Sequence, residues 1–108
     1  MMIKKMILAA GCVALLAVGF ANAANPAAGK EKAKTCAACH GPDGNSAAPD
    51  FPRLAGQHYD YLVKALSDYK AGERKNAIMA PQAANLSKRD IEDLAAYFSQ
   101  QQGLVVKY

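Results

Sequence analysis

Five consecutive residues, Cys36-Ala37-Ala38-Cys39-His40, carry the most specific chemistry in this 108-residue chain. Two thiols three positions apart project from the same side of a helical turn. From there they can add across the two vinyl groups on one edge of a porphyrin, and the next residue brings its imidazole beneath the ring, within reach of iron. C-x-x-C-H is the attachment signature of c-type heme. Ala37 and Ala38 are small and leave the space between the thiols clear. A thioredoxin-like dithiol is a second reading, but it belongs beside a strand in a βαβ pattern, and no such pattern occurs here. Zinc is a third. It would have to gather Cys36, Cys39, His40 and His58, yet adjacent Cys39 and His40 strain a single tetrahedral ion and no H-x3-5-H spacing is present. A heme iron bound by one imidazole leaves a sixth position. Past residue 23 the candidates for it are His58 and Met79. A lone methionine is more often core filler, but here the cofactor requires a partner and Met79 is the one soft sulfur available. Thioether ligation would favour ferrous iron and raise the potential compared with a second histidine.

The elements that must position these groups can be read from capping and periodicity. Asn25-Pro26 predicts an N-cap with proline at the first helical position, opening a helix that runs to about Cys39. Residues 41–56 (GPDGNSAAPDFPRLAG) are rich in turn signals without a period and predict a long loop. A loop of that length in a small domain is usually functional or wrapped around something. Tyr59, Leu62, Val63, Leu66 and Tyr69 recur at helical spacing and predict a helix over 57–71, stopped by Gly72. Residues 73–86 predict irregular chain around Met79-Ala80-Pro81. Ser87 with Asp90 predicts a capping box, followed by the stripe Ile91, Leu94, Ala95 and Phe98 to about Gln101. No segment reads as a strand.

The first 23 residues have the layout of an export signal. Lys4 and Lys5 precede an uncharged apolar run over 6–21, and Ala21-Asn22-Ala23 supplies small residues for cleavage before Ala24. The run is shorter than the roughly 20 residues that span a bilayer. A lipoprotein site at Ala10-Gly11-Cys12 is the weaker alternative, since Leu8 lies one place too far upstream. We therefore expect a signal peptide over 1–23, cleaved after Ala23, and one domain over 24–108, soluble in an oxidising compartment. Loss of Lys4 and Lys5 takes the formal charge from +4 to +2. So slight a surplus gives no argument for nucleic acid, and none is expected as a partner. Only 19 large apolar residues remain, a thin core that calls for a prosthetic group or cross-link.

The ordered set CAACHGPDGNS, APDFPRLAGQ, YLVKALSDYKAGER, the Met79 segment and LSKRDIEDLAAYF resembles the class I c-type cytochromes. Within them it is similar to the small bacterial periplasmic monoheme kind and to one domain of the diheme periplasmic cytochromes c. The resemblance implies an all-α cytochrome c fold: three main helices, crossing N- and C-terminal helices, and long loops around one covalent heme c. It implies His40 and Met79 as axial ligands. Gly29 would lie at the helix crossing, opposite Leu94, Tyr97 or Phe98. A proline carbonyl in the first loop would hold the other imidazole nitrogen of His40, with Pro49 the first choice and Pro52 the alternative. Phe51, Leu54, Leu62, Leu66, Ile78, Leu94 and Phe98 would wall the pocket, with Arg53 facing a propionate. A tyrosine would stand in for the tryptophan this chain lacks. With both axial positions filled, the implied function is periplasmic one-electron transfer, not catalysis. Expected partners are redox proteins: a membrane cytochrome complex, a terminal oxidase, or a periplasmic reductase or dehydrogenase. We expect no stable membrane insertion after cleavage and a monomer or weak dimer. A heme-based small-ligand sensor and a fixed electron-entry subunit are the alternative functions. Lys30, Lys32 and Lys34 are expected on a solvated face.

Overall fold

A computed structural model of the chain describes residues 23–103. The expected signal segment up to Asn22 and the apolar tail beyond Gly103 lie outside the described residues. Among the described residues the fold is all-α, with no strand and no helix long and apolar enough to cross a membrane.

The first helix begins as expected. The Asn25 side chain accepts the backbone N–H groups of Ala27 and Ala28 at 3.0 and 3.2 Å, and Pro26 occupies the first turn, where no donor is lost. The helix does not run unbroken to Cys39. It comprises α1 (Pro26–Lys32), a 3-10 turn (Ala33–Thr35) and α2 (Ala37–His40). Helix α3 (Tyr59–Ala71) follows the long loop and ends at Gly72, whose φ of 81° is left-handed.

The segment expected to be irregular around Met79 contains a further short helix, α4 (Met79–Ala84). Pro81 is the third residue of this helix, where a missing N–H costs no internal hydrogen bond. The start is supported upstream by Asn76, whose Oδ1 accepts the N–H groups of Ile78 and Met79, each at 2.9 Å. The last helix, α5 (Lys88–Ser99), carries the expected capping box between Ser87 and Asp90 and buries Ile91, Leu94, Ala95 and Phe98.

Helices α1 and α5 cross at Gly29. A Cβ there would lie 2.0 Å from the carbonyl oxygen of Asp93 and 2.9 Å from Tyr97 Cβ, so only glycine permits this approach. Of the three expected opposites Tyr97 is correct, and Asp93 is the closer contact. Asp93 also explains Lys32, which is not merely a solvated charge. Lys32 Nζ donates to Asp93 Oδ2 at 2.7 Å and pairs with Asp90 Oδ1 at 2.9 Å, while Asp93 Oδ1 accepts the Asn25 N–H at 2.8 Å. Lys34 pairs with Glu31 on the surface. Leu62 of α3 joins Leu94, Tyr97 and Phe98 in the core, with Leu54, Tyr59, Val63, Leu66 and Leu86 packed at its margin.

The long loop is folded back on α5. The Gly44 carbonyl accepts from the N–H groups of Leu54 and Ala55 at 2.8 and 3.2 Å, and Gly56 N–H donates to the Phe98 carbonyl at 2.9 Å. Gly44 has φ of 85°, and a Cβ on it would come within 2.8 Å of both Ala55 N and Phe98 Cδ1. These contacts bring the proline-rich part of the loop beside α2.

Candidate functional site

Cys36 caps α2, and its carbonyl accepts the N–H of His40 at 2.9 Å and of Cys39 at 3.3 Å. One turn of chain therefore carries both thiols and the imidazole. Both cysteines are half-buried and unbridged. Cys36 packs against the core, and burial pushes its thiol above the ordinary range, partly offset by the Thr35 hydroxyl 4.0 Å away. A redox-active dithiol needs the opposite, a depressed thiol. Zinc fares no better, because among the described residues no three His, Cys, Asp or Glu side chains gather to hold a metal ion, and His58 lies exposed ahead of α3.

His40 is 5% exposed. Its Nδ1 stands 2.8 Å from the carbonyl oxygen of Pro52. A carbonyl can only accept, so Nδ1 carries the proton and Nε2 is left with its lone pair as a ligand atom. The expected partner Pro49 is exposed and does not make this bond. The reason lies in the loop path: Phe51 N–H closes a turn onto the Ala48 carbonyl at 3.2 Å, which carries the chain past Pro49 before it reaches the imidazole. Phe51 itself meets the His40 ring edge-on, with centroids 6.5 Å apart.

Ser46, which periodicity and motif did not single out, ties the loop to α2. Its buried hydroxyl lies 3.2 Å from the Cys39 carbonyl and 2.9 Å from that of Ala48. Asn-Ser in a loop is too common a signal to have marked it. Tyr97, expected only at the helix crossing, also holds the loop, its hydroxyl donating to the Pro42 carbonyl at 2.9 Å. Leu62 is buried, and Leu54 and Leu66 are half-buried against the core. Ile78 is 56% exposed and stands outside the core, and Met79 beside it is half-buried at the start of α4. Arg53 is exposed, on a shallow cavity shared with Ser46, Phe51 and Pro52.

These donors fit heme c. Two free thiols lie one helical turn apart, an imidazole has its Nδ1 already committed, and a thioether stands on a separate segment. The family profile described as cytochrome c matches residues 26–102. This chain belongs to the cytochrome c family.

Relatives within the family agree. Cytochrome c4 of Azotobacter vinelandii is 50% identical over 97 residues, covering 81% of this chain and 46% of that protein. Cytochrome c-554(548) of Halomonas halodenitrificans is 47% identical over 83 residues, covering 74% of this chain and 100% of the relative. The crystal structure of reduced recombinant cytochrome c4 from Pseudomonas stutzeri matches with a TM-score of 0.72 at 49% identity, over 77% of this chain and 48% of that one. The chain thus spans about half the length of the cytochrome c4 relatives. Its own fold is the cytochrome c fold, and the cofactor of this family is a covalently bound heme c.

Proposed function

We propose that this chain is an exported, periplasmic one-electron carrier, with a signal peptide over residues 1–23 and a monoheme domain over 24–108. The observation that carries the reading is the committed Nδ1 of His40, which leaves Nε2 for iron directly beside two free thiols. Heme c, when bound, supplies a one-electron ferric–ferrous couple. Cys36 and Cys39 would hold it covalently as thioethers, and His40 Nε2 and the Met79 sulfur would ligate its iron. The Pro52 carbonyl fixes the imidazole tautomer and strengthens the ligand. Leu54, Leu62 and Leu66 exclude water from the site, which together with the thioether raises the potential. With both iron ligands supplied by this chain's own side chains, the domain would act as a carrier and not as an enzyme. Its partners are other redox proteins, met through a small, short-lived interface.

An absorption spectrum and intact mass of the exported protein test cofactor, covalency and cleavage together. The expected material begins at Ala24 and keeps its colour through acid–acetone extraction. Met79→Ala should abolish the sulfur-to-ferric-iron charge-transfer band and allow carbon monoxide to bind the reduced protein at neutral pH. Persistence of that band would refute Met79 as the ligand, and carbon monoxide binding by the unaltered protein would favour a sensor.

A further inference from the structure

The segment that delivers Met79 has little to hold it by burial. Every residue from Ala71 to Ile78 is exposed. Yet Arg74, in the middle of it, makes three separate contacts with α3. Its N–H donates to the Asp68 carbonyl at 3.1 Å, its Nη1 donates to the Tyr61 hydroxyl at 3.2 Å, and its guanidinium carbon lies 4.8 Å from the centre of the Tyr69 ring. Two residues on, Asn76 fixes the first turn of α4 through the N–H groups of Ile78 and Met79. Past α4, the Lys70 ammonium donates to the Leu86 carbonyl. Helix α3 therefore holds the chain on both sides of Met79.

We propose that Arg74 is a positioning residue for the Met79 sulfur, acting as a clasp that docks the α3–α4 connection onto Tyr61 and Tyr69. The proposal rests on Met79 being an axial ligand. The physical argument concerns entropy. An exposed connection of this length samples many conformations, and a ligand reached through it is bound only as often as the connection is ordered. A stacked guanidinium and its hydrogen bond supply that order where no buried side chain does.

The test titrates ferric holoprotein with imidazole, which competes with the Met79 sulfur, and follows loss of the sulfur-to-iron band. Arg74→Ala should bind imidazole about tenfold more tightly than the unaltered protein, a sum of several weak contacts. Tyr61→Phe, which loses only the hydroxyl contact, should gain about threefold, and Arg74→Lys should fall between. Amide exchange should accelerate at Ile78 and Met79 but not at Leu94 and Ala95 in α5. Tyr61→Phe carries the test alone if Arg74→Ala does not accumulate. Unchanged imidazole affinity in these variants overturns the clasp, and so does equal acceleration in α5, which would mean global loosening. The underlying assignment is read separately on Met79→Ala. If that variant binds imidazole no more tightly than the unaltered protein, Met79 is not the ligand and the clasp falls with it.

Discussion

Cys36 packs at the edge of a core whose large buried side chains are few among the described residues: Leu62, Ile91, Leu94, Tyr97 and Phe98. With so little apolar volume, a covalent prosthetic group becomes part of the structure. Cys36→Ala combined with Cys39→Ala should yield a poorly folded chain without covalent heme, seen as loss of a cooperative thermal transition by circular dichroism. A near-native melt would contradict this. Asp93, 2% exposed, is the other decisive residue. Burial pushes its carboxyl up, but the Lys32 hydrogen bond and the Asn25 N–H outweigh that and hold it below the ordinary range. Asp90 is lowered by Lys32 and by the Ser87 N–H, and Lys32 is raised by Asp93 and Asp90. The carboxylate contribution is therefore present above the ordinary value of 3.8 and lost as pH falls through the lowered folded values. The Lys32 contribution is present below 10.5 and lost as pH rises through its raised folded value. Asp93→Asn should cost about 2 kcal/mol at neutral pH, measured by denaturant unfolding, and should flatten the acid limb of the stability profile.

At the level of elements, the crossing of α1 over α5 is the joint on which the fold turns, and Gly29 is where the helices touch. On helix propensity alone, Gly29→Ala would stabilise by about 0.5–1 kcal/mol. The 2.0 Å approach to the Asp93 carbonyl reverses the sign, because backbone oxygen cannot rotate away as a side chain would. We expect a loss of about 3 kcal/mol, measured as a lowered denaturation midpoint. A raised midpoint would show that the helices separate easily. Helix α5 was legible from one end to the other, since its capping box and apolar stripe are local signals. Helix α4 was not. Its six residues are too few to display a period, and Pro81 and Asn76 are as common in turns as at helix starts.

For the whole molecule, the thin core, the C-x-x-C-H motif and the near-balanced charge fit the carrier proposed above. If cleavage after Ala23 leaves the proposed charge of +2, two heme propionates would offset most of it, and transfer to redox partners should change only mildly with salt. Measured between 50 and 300 mM sodium chloride, the second-order rate should vary by about threefold or less. A much steeper dependence would point to a concentrated docking charge, for which Lys30 on α1 is an exposed candidate.

The C-x-x-C-H turn, the capping of α1 and α5 and the apolar stripe of α3 were determined by sequence alone, because each arises between residues at most four apart. Other features belong to tertiary structure: Pro52 in place of Pro49 behind His40, Asp93 against Gly29 and Lys32, and Arg74 against Tyr61. These join residues 12, 61 and 13 positions apart for the hydrogen-bonded pairs. Their partners are chosen by the path of the loops and the angle of the crossing helices, and no local period encodes either.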